Sequence, residues 1–342
     1  MKETNSAYYF IVMASLVIVL AGIKSASELI VPFLLSLFLA IILLPTYNFF
    51  NKKGLPSLVS LTLVIGGFVF AIMLVLKLIG SSVSDFNANI DNYSVKLIFY
   101  YSYIVSIADK MGITISVEEL SNIINSKQIM SFISNIIQSI GSIFTNSFVV
   151  LLTVIFMLLE SSHFKDKIDF IVKKNKSILN LDKIILKIKE YMVLKSLISI
   201  LTGLIIWIAL YIVGTDYAFL WAVFAFLFNF IPNIGSIIAS VPAFLLTLIQ
   251  LGPISAVSVA IIYLSTNIIV GSVIEPKIMG RGLGLSTLVV FLSLVFWGWL
   301  LGIVGMLLSI PLTIIAKIML AENKKTKWIA ILLGNGESLQ AR

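Results

Sequence analysis

The stretch that decides the fold runs from Phe219 to Ile249 and reads FLWAVFAFLFNFIPNIGSIIASVPAFLLTLI. Its two ends are apolar, whereas its middle holds residues that are polar or unfavourable in a helix, namely Asn229, Pro232, Asn233, Gly235 and Ser236. Proline lacks an amide hydrogen and clashes with the preceding turn, so a helix breaks there. Each arm has about 15 residues and spans about 22 Å, which is less than the ~30 Å hydrocarbon core of a bilayer. The stretch therefore predicts a re-entrant helical hairpin.

A second broken stretch covers residues 285–320 and is interrupted around Trp297, Gly298 and Gly302. Its second arm is longer, so two full spans are an alternative to a hairpin here. Each broken stretch follows one unbroken span, at residues 197–213 and 254–274, so the two units enter the membrane from opposite sides. This order predicts an inverted-topology repeat, which is typical of secondary transporters.

The composition of the whole chain agrees with a membrane protein. Of the 342 residues, 59% are hydrophobic and 12% are charged, and the mean hydropathy is +1.09. A soluble domain is usually about 45–50% apolar and about 25% charged. These values exclude a cytosolic enzyme, a secreted domain and a nucleic-acid-binding protein.

We therefore predict an all-α polytopic membrane protein with about six full spans, two broken re-entrant hairpins in an inverted-topology repeat, and amphipathic interfacial helices. The full spans are expected at residues 8–23, 29–50, 58–78, 143–159, 197–213 and 254–274. By region, we expect three N-terminal transmembrane helices in 1–80, an outward-facing amphipathic helical region in 81–142, one transmembrane helix in 143–160, Lys-rich cytoplasmic amphipathic helices in 161–195, a transport region in 196–320 and a cytoplasmic tail in 321–342. The transport region divides into helix 196–214, hairpin 217–250, helix 254–275 and hairpin 285–320.

The distribution of lysine predicts the orientation. Residues 160–195 contain nine lysines against five acids, whereas residues 81–141 contain three lysines against five acids. Because cytoplasmic loops of membrane proteins are enriched in Lys and Arg, the first stretch is expected inside and the second outside. Both termini are then cytoplasmic.

Several kinds of chemistry are excluded or disfavoured. The chain has no cysteine and one histidine, His163, so thiolate sites and histidine clusters cannot form. The run Gly-Arg-Gly-Leu-Gly at 280–284 follows a membrane helix and lacks the pattern of a phosphate-binding loop. Without an ATPase motif, primary active transport by this chain alone is excluded. We expect no enzymatic activity, no metal and no cofactor.

The candidate site lies at the breaks. A broken helix exposes backbone N–H and C=O groups, which a membrane tolerates only when they are buried in protein or line a wet cavity. Candidate substrate-binding residues are therefore Asn229, Pro232, Asn233, Gly235, Ser236, Asn267, Trp297, Gly298 and Gly302. We expect the tips of the two hairpins, around Asn233 and Gly298, to approach each other near the midplane of the membrane, with Asn267 between them. The alternative is that the breaks are Pro and Gly kinks that allow close helix packing.

A carboxylate lies at the end of the span between the two hairpins. Asn267, Gly271 and Glu275 are spaced by four and share one helix face. Glu275 is a candidate coupling or gating residue together with Arg281, because an acid at a span end can bind a proton or a coupling ion. It is equally placed to pair with Lys277 or Arg281 and to fix the helix end.

Two runs of sequence resemble the AI-2E family, the autoinducer-2 exporter family. They are FNFIPNIGS at 228–236 and EPKIMGRGLGLSTLVVFLSLVFWGWLLG at 275–302, and shorter similar runs occur at 194–203 and 30–34. The resemblance implies a multi-pass protein of the bacterial inner membrane that exports autoinducer-2, a small polar quorum-sensing signal. Some members are described instead as sodium or lithium/proton antiporters, so H⁺ or Na⁺ is a second expected partner.

Two further expectations are open to test. The first is an alternative function, in which the chain is a membrane scaffold protein that transports nothing. We also expect the isoleucine-rich stripe in residues 129–140 to be covered, either by the membrane face or by another copy of the chain in a homo-oligomer.

Overall fold

A computed structural model describes residues 6–110, 128, 131, 133–135, 147–174, 179–232, 234–279, 284–322 and 326–334. Within these ranges the chain is almost entirely helical, and its extended pairing is a single antiparallel bridge between Leu285 and Gly334. The predicted all-α polytopic class is confirmed. Most of the 129–140 stripe and the end of the tail lie outside the described residues.

The helices follow one another with short connections. In chain order they are α1 (Ser6–Ser25), α2 (Ser27–Lys52), α3 (Ser57–Lys110), α4 (Ser147–Lys174), α5 (Leu179–Val213), α6 (Ala218–Phe228), α7 (Gly235–Leu251), α8 (Pro253–Thr266), a π-helical segment (Asn267–Ile274), α9 (Glu275–Met279), α10 (Thr287–Leu307), α11 (Ser309–Glu322) and α12 (Lys327–Leu332).

Five stretches of described helix are long and apolar enough to cross a membrane. They are Ser27–Lys52, Ser57–Lys96, Ile188–Val213, Pro253–Ile278 and Thr287–Leu307. The first four coincide with full spans that the sequence predicts. The other two predicted spans, at 8–23 and 143–159, coincide with the shorter apolar helices Phe10–Ser25 and Phe148–Ser161.

The two predicted breaks are present, with different geometries. In the first hairpin α6 ends at Phe228 and α7 begins at Gly235, and the connecting turn is closed by a hydrogen bond from the Ile231 amide to the Phe228 carbonyl. In the second hairpin the helical backbone is interrupted at Gly302, whose φ of 68° and ψ of −150° are not helical. A positive φ favours glycine, because it has no Cβ to clash.

Helix α3 extends well beyond the membrane span that the sequence predicts at 58–78. It continues without interruption to Lys110, so the start of the 81–142 region is a continuation of the third helix. The reason is a stripe with a seven-residue period in which Ile79, Phe86 and Tyr93 are buried against the first hairpin. This stripe belongs to the same buried cluster as Leu220 and Trp221 of α6, so helix α3 helps to support the first hairpin.

The span between the hairpins is also not a regular α-helix. It changes from α to π geometry over Asn267–Ile274, and the Glu275 amide donates to the Val270 carbonyl five residues earlier. A π-helical stretch is rare and occurs frequently at functional sites. The regular α-helical spacing assumed for Asn267, Gly271 and Glu275 therefore does not hold over this segment. Asn267 and Gly271 nevertheless remain neighbours, since a Cβ on Gly271 would lie 3.2 Å from the Asn267 Oδ1 atom.

Candidate functional site

A narrow pocket with both polar and apolar lining residues lies between the first hairpin and the two spans that flank it. It is formed by α5, the end of α6, the start of α7, the end of α8 and the π segment. Its polar side chains are Thr202, Asn229, Ser236, Tyr263, Thr266 and Asn267, and Ile206, Ala225, Val270 and Gly271 complete the wall. Three predicted site residues, Asn229, Ser236 and Asn267, are thus brought together.

Asn229 is held in the pocket wall by α5. Its side-chain Nδ2 donates to the hydroxyl of Ser199 at 2.9 Å, and Ser199 is fully buried. This bond uses one donor of the amide and fixes its orientation, because an amide carries both donors and an acceptor. Among the described residues, the carbonyl oxygen of Asn229 forms no hydrogen bond, so the amide can still accept one.

The tip that carries Asn229 depends on close backbone approach. A Cβ added to Gly235 would lie 1.8 Å from the carbonyl oxygen of Phe228. Such a contact is impossible, so only glycine fits where α7 begins against the end of α6. Gly235 therefore shapes the tip, and Pro232, which lies in the connecting turn, is half-buried.

The pocket is closed in this conformation. The space among the lining side chains has room for about one water molecule. A molecule larger than water can therefore enter only if the lining helices separate.

Glu275 directly follows the π segment and forms an ion pair that the sequence does not predict. The Nζ atom of Lys195 on α5 lies 2.6 Å from one carboxylate oxygen and 2.8 Å from the other. Lys195 is 5% exposed, so the pair is largely withdrawn from solvent. The partners expected from proximity were Lys277 and Arg281; Lys277 is exposed and Arg281 lies outside the described residues. Because Lys195 and Glu275 are 80 residues apart, no local sequence pattern indicates that they pair.

The second tip is not part of this pocket. Trp297 donates its Nε1 hydrogen to Thr313 on the opposite arm at 2.9 Å. Gly298 faces the side chain of Met306, to which an added Cβ would lie 2.8 Å away. Gly302 is exposed at the break. Within the described residues, the structure brings Asn267 to the first tip and leaves the second tip packed on itself.

Asn233, another predicted site residue, lies outside the described residues. The pocket also contains polar residues that the sequence reasoning missed, chiefly Thr202, Tyr263 and Thr266. Thr266 and Asn267 are adjacent in the chain, and a polar pair in the middle of an apolar span is a signal that could have pointed to them.

A second polar cluster holds the base of the first hairpin, at its connections to α5 and α8. The Tyr93 hydroxyl on α3 donates to the Asp216 carboxylate at 2.7 Å, and the Asp216 amide donates to the Gln250 side chain at 2.8 Å. Lys96 on α3 donates to the Gln250 carbonyl at 3.2 Å. The two ends of the hairpin are thereby tied to each other and to α3.

Known proteins resemble this chain over nearly its full length. A family described as "AI-2E family transporter" matches residues 13–325. The Escherichia coli K12 protein named "AI-2 transport protein TqsA" is 38% identical over 332 residues, which are 97% of this chain and 96% of that protein. A Haemophilus influenzae protein named "Putative transport protein" is 39% identical, over 96% of each chain.

Proposed function

The chain belongs to the AI-2E family of transporters, and on that premise we propose that it is a secondary transporter that exports autoinducer-2, a small polar molecule. The E. coli relative that is 38% identical carries AI-2 transport in its name. Family membership alone fixes the scaffold better than the cargo. The choice of a small polar cargo therefore rests also on the pocket.

The observation that carries the proposal is the group of polar side chains in the pocket at the first break. Hydroxyl and amide groups line it in a part of the chain that is otherwise apolar. In the closed pocket Thr202 donates to the Ile198 carbonyl and Asn229 donates to Ser199. A polar cargo can exchange hydrogen bonds with such hydroxyl and amide groups when the pocket opens. Asn229 and Ser236 come from the hairpin and Asn267 from the neighbouring span, so hairpin movement would open the site to cargo and close it again.

The direct test is transport of labelled autoinducer-2 in proteoliposomes that contain the purified chain, under an imposed proton or sodium gradient. Gradient-driven flux above that of empty liposomes is the expected result. No flux under either gradient, with the protein folded and inserted, would support the scaffold alternative instead.

A second candidate function is sodium or lithium/proton antiport, which the family resemblance also implies. The observation in its favour is Glu275, a carboxylate that is kept next to a buried cation, Lys195. A carboxylate that binds a cation in one conformation can bind another cation or a proton when that partner leaves. Sodium-driven proton release that disappears in Glu275→Gln would favour this function over cargo export.

We further propose a bacterial inner-membrane location with both termini in the cytoplasm. The lysine content of residues 160–195 supports this orientation. A reporter fused after Lys110 should be outside the cytoplasm. A cytoplasmic reporter at that position would overturn the orientation and, with it, the inverted repeat.

A further inference from the structure

The π segment connects the pocket with the ion pair. Asn267, Val270 and Gly271 of the segment line the pocket, and Glu275 is the first residue after it. The hydrogen bond that ends the π geometry runs from the Glu275 amide to the Val270 carbonyl. The residue that closes the π turn is thus the residue that Lys195 holds.

A change between π and α geometry would affect both ends at once. Successive residues in an α-helix are related by a rotation of about 100°, because one turn has 3.6 residues. A π turn contains an additional residue, so restoring the α register rotates everything after it by about that angle. Glu275 cannot keep its position next to Lys195 and also follow such a rotation.

The geometry of the Lys195–Glu275 ion pair favours one helical register of the π segment over the other. A single buried ammonium contacts both oxygens of the carboxylate, at 2.6 Å and 2.8 Å. Removal of one partner leaves a buried charge without compensation, which strongly disfavours the geometry that the pair maintained. Gly271 lies on the same segment and leaves space for the Asn267 side chain. A Cβ at position 271 would lie only 3.2 Å from the Asn267 Oδ1 atom.

We propose that Lys195 is a positioning residue for transport: its ion pair with Glu275 holds the segment Asn267–Ile274 in the π register and so keeps Asn267 and Gly271 in the pocket wall. The pair opens when the segment returns to α geometry during the transport cycle. The inference rests on the proposed function in one respect, namely that this pocket is the transport site.

The test uses the absence of cysteine from the chain. Val270 is 1% exposed, so a Val270→Cys variant reports the register through its rate of reaction with a soluble thiol reagent. We expect slow labelling in the parent and labelling about tenfold faster or more when Lys195→Met or Glu275→Gln is added. Lys189→Met, a change of a half-exposed lysine on the same helix, is the matched control and should leave the rate unchanged.

The exchanged pair Lys195→Glu with Glu275→Lys restores opposite charges with the two side chains swapped. We expect slow labelling to return, together with most of the autoinducer-2 flux. Unchanged labelling in Lys195→Met and Glu275→Gln would overturn the proposal, and so would fast labelling in the exchanged pair. Labelling needs no cargo, so it is read independently of flux. A parent chain without flux contradicts the proposed function, whereas unchanged labelling contradicts only the role of Lys195.

Discussion

The first hairpin, Ala218–Leu251, and the second, Thr287–Glu322, turn the chain with the same small residue. In each, a glycine sits where a Cβ would collide with a carbonyl of the preceding arm. The distances would be 1.8 Å from Gly235 to the Phe228 oxygen and 2.0 Å from Gly305 to the Trp297 oxygen. The two stretches thus make the same close backbone approach, although the predicted inverted repeat remains a prediction.

The surroundings of the two breaks differ. The first places Asn229 and Ser236 in the same pocket as Asn267 of the neighbouring span. In the second, the indole of Trp297 is bonded to Thr313 of its own hairpin. A polar group that is satisfied inside its own element has less to offer a ligand. Under the proposed function, we therefore expect cargo recognition at the first hairpin and a structural role for the second.

The bases of the hairpins are also held differently. Tyr93 and Lys96 of α3 tie down the base of the first hairpin. At the second, Lys317 donates to the Gly284 carbonyl, and the Ser286 amide donates to the Leu333 carbonyl at the end of α12. Helix α3 supports the first hairpin, and the residues that follow α12 contact the start of the second.

The largest effect should come from the shared glycines. Gly235→Ala and Gly305→Ala should each destabilise the folded protein by at least about 3 kcal/mol, because the colliding atom is backbone and cannot move aside cheaply. The measurement is the midpoint of thermal unfolding in detergent, with the yield of monodisperse protein. Gly67→Ala on α3 is the control, since nothing lies within 4 Å of a Cβ there. A mild effect at Gly305 alone would show that the two tips are not equivalent.

The next effect should separate the hairpins. Asn267→Leu and Asn229→Leu should weaken autoinducer-2 binding about ten- to a hundredfold, because each loses a bond to a buried polar group worth roughly 1–3 kcal/mol. Binding of labelled autoinducer-2 to the purified protein measures this at equal protein amounts. If both variants bind like the parent while folding normally, the first break is a kink and the site lies elsewhere.

The sequence predicts the first hairpin because its break is local. Pro232 and its polar neighbours interrupt an apolar run, and that pattern needs no tertiary information. The continuation of α3 is harder to predict, because Gly80 and two serines suggest an end. What keeps the helix intact is the burial of Phe86 and Tyr93 against a hairpin more than 120 residues away along the chain.

The ion pair and the π segment are beyond local patterns for the same reason. Lys195 and Glu275 are 80 residues apart, and Lys195 looks like one more residue of a lysine-rich cytoplasmic stretch. No periodicity distinguishes π from α geometry in an apolar run. The sequence thus predicts several residues of the site, whereas the residues with which they pair become known only from the folded structure.

A smaller effect should appear at the base of the first hairpin. Tyr93→Phe removes the hydroxyl that binds Asp216 and should cost about 1.5–2 kcal/mol, since a hydrogen bond to a charged group is stronger than a neutral one. Hydrogen exchange of the amides at 216–222 should accelerate, while the amides of α10 and α11 keep their rates. Tyr211→Phe is the control, because Tyr211 is 76% exposed. Equal acceleration in both hairpins would contradict their separate anchoring.

The smallest effect should come from the second tip. Trp297→Phe removes the donor to Thr313, and Thr313→Val removes the acceptor, so each should cost about 1 kcal/mol of stability. Because the two side chains act on each other, the double variant should cost less than the sum, with a coupling of about 0.5–1 kcal/mol in a double-mutant cycle. Autoinducer-2 affinity should stay within about twofold of the parent, since neither residue lines the pocket. An affinity loss in Trp297→Phe as large as that in Asn267→Leu would place the second tip in the cargo site and make the two hairpins functionally equivalent.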